Sequence, residues 1–230
     1  MNITINLDEY EHSPTSAFAL RNPWKTKLGK HIIQCAIQLI ESDGYEHCTF
    51  KKIGAIIGSP EASLYRYFES KHKLLLFIMS LYWFALDKAY KHVLMHSHSP
   101  EDALKDVIKL LSAPNNIVIE DSVLHGDLLN NIVIVESSKA FLTKHVDEDN
   151  LEGAFLTLKA FASNIAHNIL LINPDYPYSR ALASTIIEIP LQQSHFSKHL
   201  PSLTEFKTIN SNRNECSEWL FHLIMNAVKM

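Results

Sequence analysis

A short stretch of the chain, TFKKIGAIIGSPEASLYRYFESKHKLL at positions 49–75, carries side chains that are suited to bind phosphates. At its centre two tyrosines flank an arginine, in the order Tyr65-Arg66-Tyr67. A tyrosine hydroxyl bonds a phosphate oxygen, and its ring packs on a sugar or on a thymine methyl group. The nearby lysines that add positive charge are Lys51, Lys52, Lys71 and Lys73. This combination predicts a surface for a phosphate-rich partner.

The distribution of charge favours such a partner, although the net charge of the 230 residues is −4. Positions 25–75 contain eight Lys or Arg and five Asp or Glu, a net charge of +3, and the remaining positions carry −7. A basic segment attached to an acidic body is typical of a protein that binds a polyanion through one end.

Two helices are predicted before the tyrosines. The first runs from Lys25 to Asp43 with apolar residues at helical spacing, and Gly44 suits its end. Thr49 can cap the second helix, which Gly58 breaks after about two turns. Both helices place apolar residues on one face, so they are expected to pack together.

The third predicted helix is short, about Pro60 to Tyr67, with Ser59 as its N-cap. Leu64 and Phe68 lie one turn apart and are expected to bury one side of it, which leaves the two tyrosines free. Two short helices joined by a glycine turn form a helix-turn-helix, whose second helix enters the major groove of DNA.

Residues 49–75 resemble the TetR (TetR/AcrR) family of bacterial regulators, whose pattern is close to T-x-x-x-I-A-x-x-A-G-V-S-x-G-T-L-Y-x-Y-F-x-S-K-x-x-L. The residues that match in register are Thr49, Ile53, Gly58, Leu64, Tyr65, Tyr67, Phe68, Ser70, Lys71 and Leu74. The resemblance covers roughly residues 25–90 and implies an all-α fold. Its implied parts are an arm at 1–24, a helix-turn-helix DNA-binding domain at 25–70 and a helical effector-binding and dimerisation domain at 71–230, of which 71–95 is the connecting helix.

The resemblance also implies the function and the partners. The chain would be a ligand-responsive repressor on double-stranded DNA, released from a near-palindromic operator by a small effector. The apolar residues of the body, with scattered His, Asn and Ser, suggest that this effector is mostly apolar. It would form a homodimer through helices around 179–198 and 212–229. The alternative is a helical small-molecule-binding dimer in which the domain at 25–70, called the head below, is degenerate and binds no specific DNA.

Position in the pattern implies that Thr49, Tyr65, Tyr67 and Lys71 contact phosphates and that the residues around Pro60, Glu61, Ala62 and Ser63 face the bases. Lys51, Lys52 and Arg66 add positive charge nearby. The predicted DNA-binding residues are Thr49, Lys51, Lys52, Ser59, Pro60, Glu61, Ala62, Ser63, Tyr65, Arg66, Tyr67 and Lys71. Ser59-Pro60 replaces the usual Val-Ser, and Gly54 stands at a usual alanine. Glu61 occupies a position often held by lysine, where an acid either accepts from a cytosine amino group or repels phosphate. In the body, His125, Phe161 and His167 are expected to line the effector pocket.

The helix that follows the head differs from the others. From Leu74 to Leu86 it reads LLLFIMSLYWFAL, apolar nearly all round, which predicts burial on more than one face. This run is too short for a bilayer, which needs about 20 residues. Most of the remaining chain also has helical spacing. The near-copies NNIVIE at 115–120 and NNIVIVE at 130–136 fit either helices or a β-hairpin.

No catalytic motif, cofactor or metal site is predicted. The pairs His92/His96 and His195/His199 could hold a metal in an all-α enzyme, but no HExxH or well-spaced carboxylate accompanies them. The three cysteines form no CxxC pair, so they are expected to be reduced. The N-terminus shows no apolar signal segment. We therefore expect a cytoplasmic protein with no membrane partner.

Overall fold

The computed structural model describes residues 3–5, 18–112, 117–119, 126–206 and 213–229, and α-helices dominate them. The helices are α1 (Lys27–Asp43), α2 (Phe50–Ile57), α3 (Glu61–Leu64), α4 (Lys71–His96), α5 (Pro100–Ser112), α6 (Gly126–Glu136), α7 (Ser138–Phe141), α8 (Val146–Leu151), α9 (Leu156–Ile172), α10 (Ser179–His199) and α11 (Arg213–Val228). Short 3-10 turns lie at Pro23–Lys25, Tyr45–His47 and Pro201–Leu203. The predicted all-α fold class is confirmed.

One small ribbon interrupts the helical pattern. Strand β1 (Ile3–Ile5) pairs in parallel with β2 (Ile117–Ile119), and Ile3 lies opposite Ile117. The hairpin interpretation of the two near-copies is wrong, because residues 130–136 form the end of α6. In α6 the side chains of Leu129, Ile132 and Val133 are buried. The helix therefore buries the β-branched residues that made a strand a second possibility.

The contacts divide the chain into two compact units. The first comprises Met1–Ala85 and Ile117–Thr157, and the second comprises Leu86–Asn116 and Leu158–Met230. The division falls inside α4, so this one helix contributes residues to both units. The predicted functional boundary between a DNA-binding domain and a body, at residue 70, stays a prediction.

The turn between α2 and α3 is built around two glycines. Gly58 ends α2 in the left-handed conformation at φ 67°, as its position predicted. The N–H of Ser59 donates to the carbonyl of Gly54 at 2.9 Å, so Ser59 closes α2 and does not cap α3. The predicted start of the third helix is therefore corrected: Pro60 is its N-cap and Glu61 its first residue. A Cβ on Gly54 would lie 2.6 Å from the Ser59 carbonyl oxygen, which explains why this turn has glycine there.

The apolar run of α4 is buried as predicted. No residue from Leu74 to Leu86 is more than 7% exposed. In the part of the chain that the structure describes, no helix is long and apolar enough to cross a membrane.

Two buried carboxylates join the later helices of the first unit to its N-terminal part. The Glu136 side chain at the end of α6 accepts a hydrogen bond from the backbone N–H of Tyr45 at 2.8 Å. Asp149 on α8 accepts hydrogen bonds from His72 at 2.7 Å and from Lys73 at 3.0 Å. Burial alone raises the pKa of Asp149, but the hydrogen bonds from His72 and Lys73 outweigh it and hold the pKa below its ordinary value.

In the second unit α5 packs against α10 and α11. Two asparagine side chains there donate hydrogen bonds to backbone carbonyls at helix ends. Asn168 donates to the carbonyl of Pro100 at 2.8 Å, and Asn173 donates to the carbonyl of Val228 at 2.7 Å. Val228 is the last residue of α11, so Asn173 supplies a partner to a carbonyl that the helix end leaves without one.

Replacing Asp149 by Asn tests the buried charge. We expect the free energy of unfolding to fall by about 2–4 kcal/mol near pH 7, because His72 and Lys73 lose a nearly buried partner. The folded-state pKa of Asp149 is lowered, so its stabilisation is present above the unfolded pKa of about 3.9 and is lost as the pH falls through the folded value. The difference between wild type and Asp149→Asn in urea unfolding should therefore shrink below about pH 4.

Asp106→Asn is the matched control for this experiment. Asp106 also pairs with a lysine, Lys109 at 2.9 Å, but its side chain is 46% exposed. Its substitution should cost less than about 0.5 kcal/mol. Equal costs at the two positions, or a difference at Asp149 that persists unchanged to pH 3, would contradict the assigned role.

Candidate DNA-binding site

The segment that carries the predicted DNA-binding residues is held in place by its apolar side. Leu64 and Phe68 are 0% exposed, as predicted. The ring of Phe68 meets the ring of Phe77 on α4 edge-on, with centroids 5.3 Å apart. Edge-to-face pairs of this kind stabilise by about 0.5–1.5 kcal/mol beyond the area they bury. The orientation of α3 is therefore fixed from the inside.

The opposite side of the segment presents most of the predicted contacts to solvent. The exposed members of the predicted set are Thr49, Lys51, Lys52, Pro60, Glu61, Ala62, Tyr65 and Arg66. Ser59, Ser63 and Lys71 are partly exposed. A short helix with one side anchored and polar residues on the other has the form that a major groove accepts.

Tyr65 is held in a defined position on this surface. Its side chain is 49% exposed, and its ring meets that of Phe50 edge-on at 4.9 Å between centroids. Its hydroxyl donates to the Glu61 carboxylate at 3.5 Å. Tyr65 thus meets the expectation of an aromatic residue that the core leaves accessible.

Tyr67, in contrast, is buried, and the expectation that its side chain is exposed to DNA is wrong. Its side chain is 2% exposed. Its hydroxyl shares a 2.7 Å hydrogen bond with Thr26, the N-cap of α1, and the Arg21 guanidinium lies over its ring at 5.6 Å. In this structure Tyr67 fastens the start of α1 to the end of the helix-turn-helix.

The basic residues differ in whether other groups of the chain bind their charged ends. The Lys71 ammonium donates to the carbonyls of Tyr45 and Glu46, each at 3.4 Å, and lies 4.3 Å from the Tyr45 ring centroid. In contrast, Lys51 and Arg66 make no hydrogen bond or ion pair with other residues that the structure describes. These two cations are the ones most available to phosphates.

The predicted helix caps are present. The Thr49 hydroxyl accepts from the N–H of Lys52 at 3.2 Å, and the Ser70 hydroxyl accepts from the N–H of Lys73 at 3.2 Å. Both caps satisfy N–H groups at the start of a helix. That these helix starts face phosphates stays a prediction.

The residues predicted for the effector pocket do not come together. His125 lies outside the described residues. Phe161 is fully buried on α9 and meets the ring of Tyr90 edge-on at 6.0 Å, whereas His167 is exposed. One cavity of about 190 Å³ lies elsewhere, in the first unit, and Gln34, Cys35, Ile57 and Leu128 are among its lining residues.

Tyr90 is a candidate that the sequence did not single out. It is 0% exposed, and its hydroxyl has no hydrogen-bond partner among the described residues. Burial raises its pKa, so the hydroxyl stays neutral and can donate. No motif in the sequence marks Tyr90 for this role.

The histidine pairs form no metal centre in the described part of the chain. The rings of His92 and His96 stack at 4.3 Å, and those of His195 and His199 lie 4.9 Å apart. Across the described residues no group of three or more His, Cys, Asp or Glu side chains is placed to hold a metal ion.

The fold thus contains a helix-turn-helix, formed by α2 and α3, followed by a larger set of helices. Residues 32–78 match the model for bacterial regulatory proteins of the tetR family. These residues thus form the N-terminal domain that this family model describes. A search of curated protein sequences finds no significant match.

Solved structures share the fold at low sequence identity. FadR of Bacillus subtilis in complex with stearoyl-CoA is 13% identical, with a TM-score of 0.62, and the match covers 86% of this chain and 97% of that one. FadR of Thermus thermophilus in complex with lauroyl-CoA is 14% identical, with a TM-score of 0.57 and coverage of 86% and 93%. AibR in complex with isovaleryl coenzyme A and operator DNA is 15% identical, with a TM-score of 0.57 and coverage of 84% and 95%.

Comparing two phenylalanine substitutions separates a structural tyrosine from a DNA contact. Tyr67→Phe should lower the free energy of unfolding by about 1 kcal/mol, because the hydrogen bond between the hydroxyls of Tyr67 and Thr26 is lost. Tyr65→Phe should change it by less, since the hydroxyl of Tyr65 lies at the surface. Urea unfolding measures both. If Tyr67→Phe left stability unchanged and weakened DNA binding about tenfold, Tyr67 would be a phosphate contact after all.

Arg66→Ala tests the available charge. Each phosphate contact that is lost lowers the slope of log K against log salt by about 0.9, so a dimer that loses two should lose about 1.8. Lys71→Ala should change the slope less, because its ammonium is bound by backbone carbonyls of its own chain. Fluorescence anisotropy at several salt concentrations measures this. A larger slope change for Lys71→Ala than for Arg66→Ala would reverse the assignment.

Proposed function

We propose that this regulator is a homodimeric repressor which a small, mostly apolar effector releases from a near-palindromic operator. The observation that carries the proposal is the anchored recognition segment, with Leu64 and Phe68 fully buried and the Tyr65–Arg66 side exposed. We further propose a binding role without catalysis, exercised in the cytoplasm, where the DNA is.

The proposed dimer interface uses α10 and α11, in line with the predicted ranges of 179–198 and 212–229. On α11, Trp219 is 42% exposed and Leu223 is 46% exposed. They lie one turn apart and so share a helix face. Large apolar side chains that are exposed side by side are typical of a surface that another protein covers. A two-fold dimer would place two α3 helices about 34 Å apart, one turn of DNA.

The proposed effector class is an acyl thioester of coenzyme A. Three solved structures of the same fold are complexes with such a compound: stearoyl-CoA, lauroyl-CoA and isovaleryl coenzyme A. An acyl chain offers an apolar body with a single carbonyl oxygen. In the second unit, Phe161 and Tyr90 supply an apolar wall and a neutral hydroxyl that lacks a partner among the described residues. A buried hydroxyl without a partner costs about 1–3 kcal/mol, which a ligand carbonyl would recover.

The proposed coupling runs along α4. This helix of 26 residues begins beside the recognition segment at Lys71 and ends in the second unit at His96. An effector that binds one arrangement of α4 better than another lowers operator affinity by that difference in affinity and no more.

The test is a competition between DNA and effector. Fluorescently labelled DNA from the region that flanks the gene should bind the protein, and lauroyl-CoA should release it, while coenzyme A without the acyl chain should not. Tyr90→Phe should weaken the effect of lauroyl-CoA roughly tenfold, since it removes one hydrogen-bond donor. Tyr178→Phe, at a 68% exposed tyrosine, is the control and should leave it unchanged.

The outcomes separate the parts of the proposal. Absence of DNA binding would favour the alternative of a helical small-molecule binder with a degenerate head. DNA binding that lauroyl-CoA leaves intact would reject the effector class and keep the regulator. Release that Tyr90→Phe does not alter would reject Tyr90 alone.

A further inference from the structure

Glu61 is an unusual residue for a surface that meets phosphates. It is the first residue of α3 and is exposed, within the stretch predicted to face bases. Lys51, Lys52 and Arg66 are also exposed on the helix-turn-helix, yet Glu61 forms no ion pair among the described residues. A carboxylate near the DNA backbone weakens binding to all sequences, because it repels phosphates. Its presence therefore calls for a compensating role.

A tyrosine hydroxyl lies beside the Glu61 carboxylate, at the long end of the hydrogen-bond range. The hydroxyl of Tyr65 donates to its Oε1 atom at 3.5 Å. The ring of Tyr65 is fixed in turn by Phe50, which is 4% exposed and belongs to the core. One carboxylate oxygen is thus engaged by a tyrosine that the core orients. The other oxygen, Oε2, remains as an acceptor at the start of the recognition helix.

The chemistry of the major groove decides what such an acceptor selects. An ionised carboxylate accepts hydrogen bonds and cannot donate them. Guanine and thymine present acceptors at this edge and repel it, whereas cytosine presents the N4 amino group. Adenine presents an N6 amino group beside the N7 acceptor, so it fits less well. Discrimination by repulsion of wrong bases is a general source of specificity.

We propose that Glu61 is a specificity-determining residue that selects a C·G base pair in each half of the operator, with Tyr65 as its positioning residue. This inference rests on the proposed operator binding. The alternative role of Glu61, a favourable charge at a helix start, concerns a helix of only four residues and involves no base preference.

The experiment is selection of binding sites from a library of random duplex DNA, with sequencing of the bound pool. Wild type should select cytosine at one position in each half-site. Glu61→Ala should lower the preference at that position about tenfold and leave the other positions unchanged. It should also bind non-specific DNA more tightly, because one repulsive charge is gone. The two effects have opposite signs, which misfolding would not produce.

Two further substitutions sharpen the test. Glu61→Gln keeps the shape and adds a donor, so the preference should change from cytosine to adenine, which glutamine contacts through N6 and N7. Tyr65→Phe keeps the ring on Phe50 and removes the hydroxyl, so the cytosine preference should weaken at the same position. Glu69→Ala, at an exposed acid beyond α3, is the matched control and should keep the wild-type preference.

The contradicting results are distinct. If Glu61→Ala and Glu61→Gln selected the same sequence as wild type, Glu61 would not read a base. If Tyr65→Phe alone had no effect, Tyr65 would not position Glu61. If wild type selected no sequence, the operator binding on which the inference rests would be rejected. Circular dichroism melting curves show which variants are folded before selection.

Discussion

The contact between Phe68 and Phe77 is the packing interaction on which the DNA-binding surface depends. It fixes the end of the recognition segment on α4, with ring centroids 5.3 Å apart. Phe77 also faces Trp24 of the 3-10 turn before α1, at 6.1 Å. One buried ring therefore joins the segment that precedes α1, the recognition segment and α4. Because the apolar side of α3 is committed in this way, Glu61, Tyr65 and Arg66 are directed outwards together.

Two carboxylates that are almost fully buried connect α6 and α8 to the N-terminal part of the first unit. Glu136 accepts a hydrogen bond from the Tyr45 backbone, and Asp149 accepts from His72 and Lys73 at the start of α4. Breaking a buried pair by removing one partner is costly, so these contacts favour a single arrangement. They also place α6 and α8 in direct contact with elements that precede and follow the recognition segment. In the proposed repressor, a shift of α8 would therefore displace the start of α4, and a shift of α6 would displace the turn before α2.

The sequence was sufficient for the features that depend on neighbours along the chain. The Thr49 cap, the Gly58 turn and the buried pair Leu64 and Phe68 all follow from local spacing. The burial of Tyr67 could not be predicted in that way, because its partner Thr26 is 41 positions away. The use of Lys71 by the turn at Tyr45 is equally non-local. The residues proposed for the effector had no motif to identify them: Tyr90 is buried, whereas the predicted His167 is exposed.

The distance between the two recognition segments of a dimer tests the central claim most directly. The described cysteines, Cys35, Cys48 and Cys216, are free and buried, so a spin label attached to Glu69→Cys would react at the introduced thiol. Pulsed electron paramagnetic resonance on the complex with DNA from the region flanking the gene should give one narrow distance distribution, roughly 30–45 Å, as expected for recognition helices one DNA turn apart. Absence of a dipolar signal, or a broad distribution that DNA does not narrow, would contradict the account.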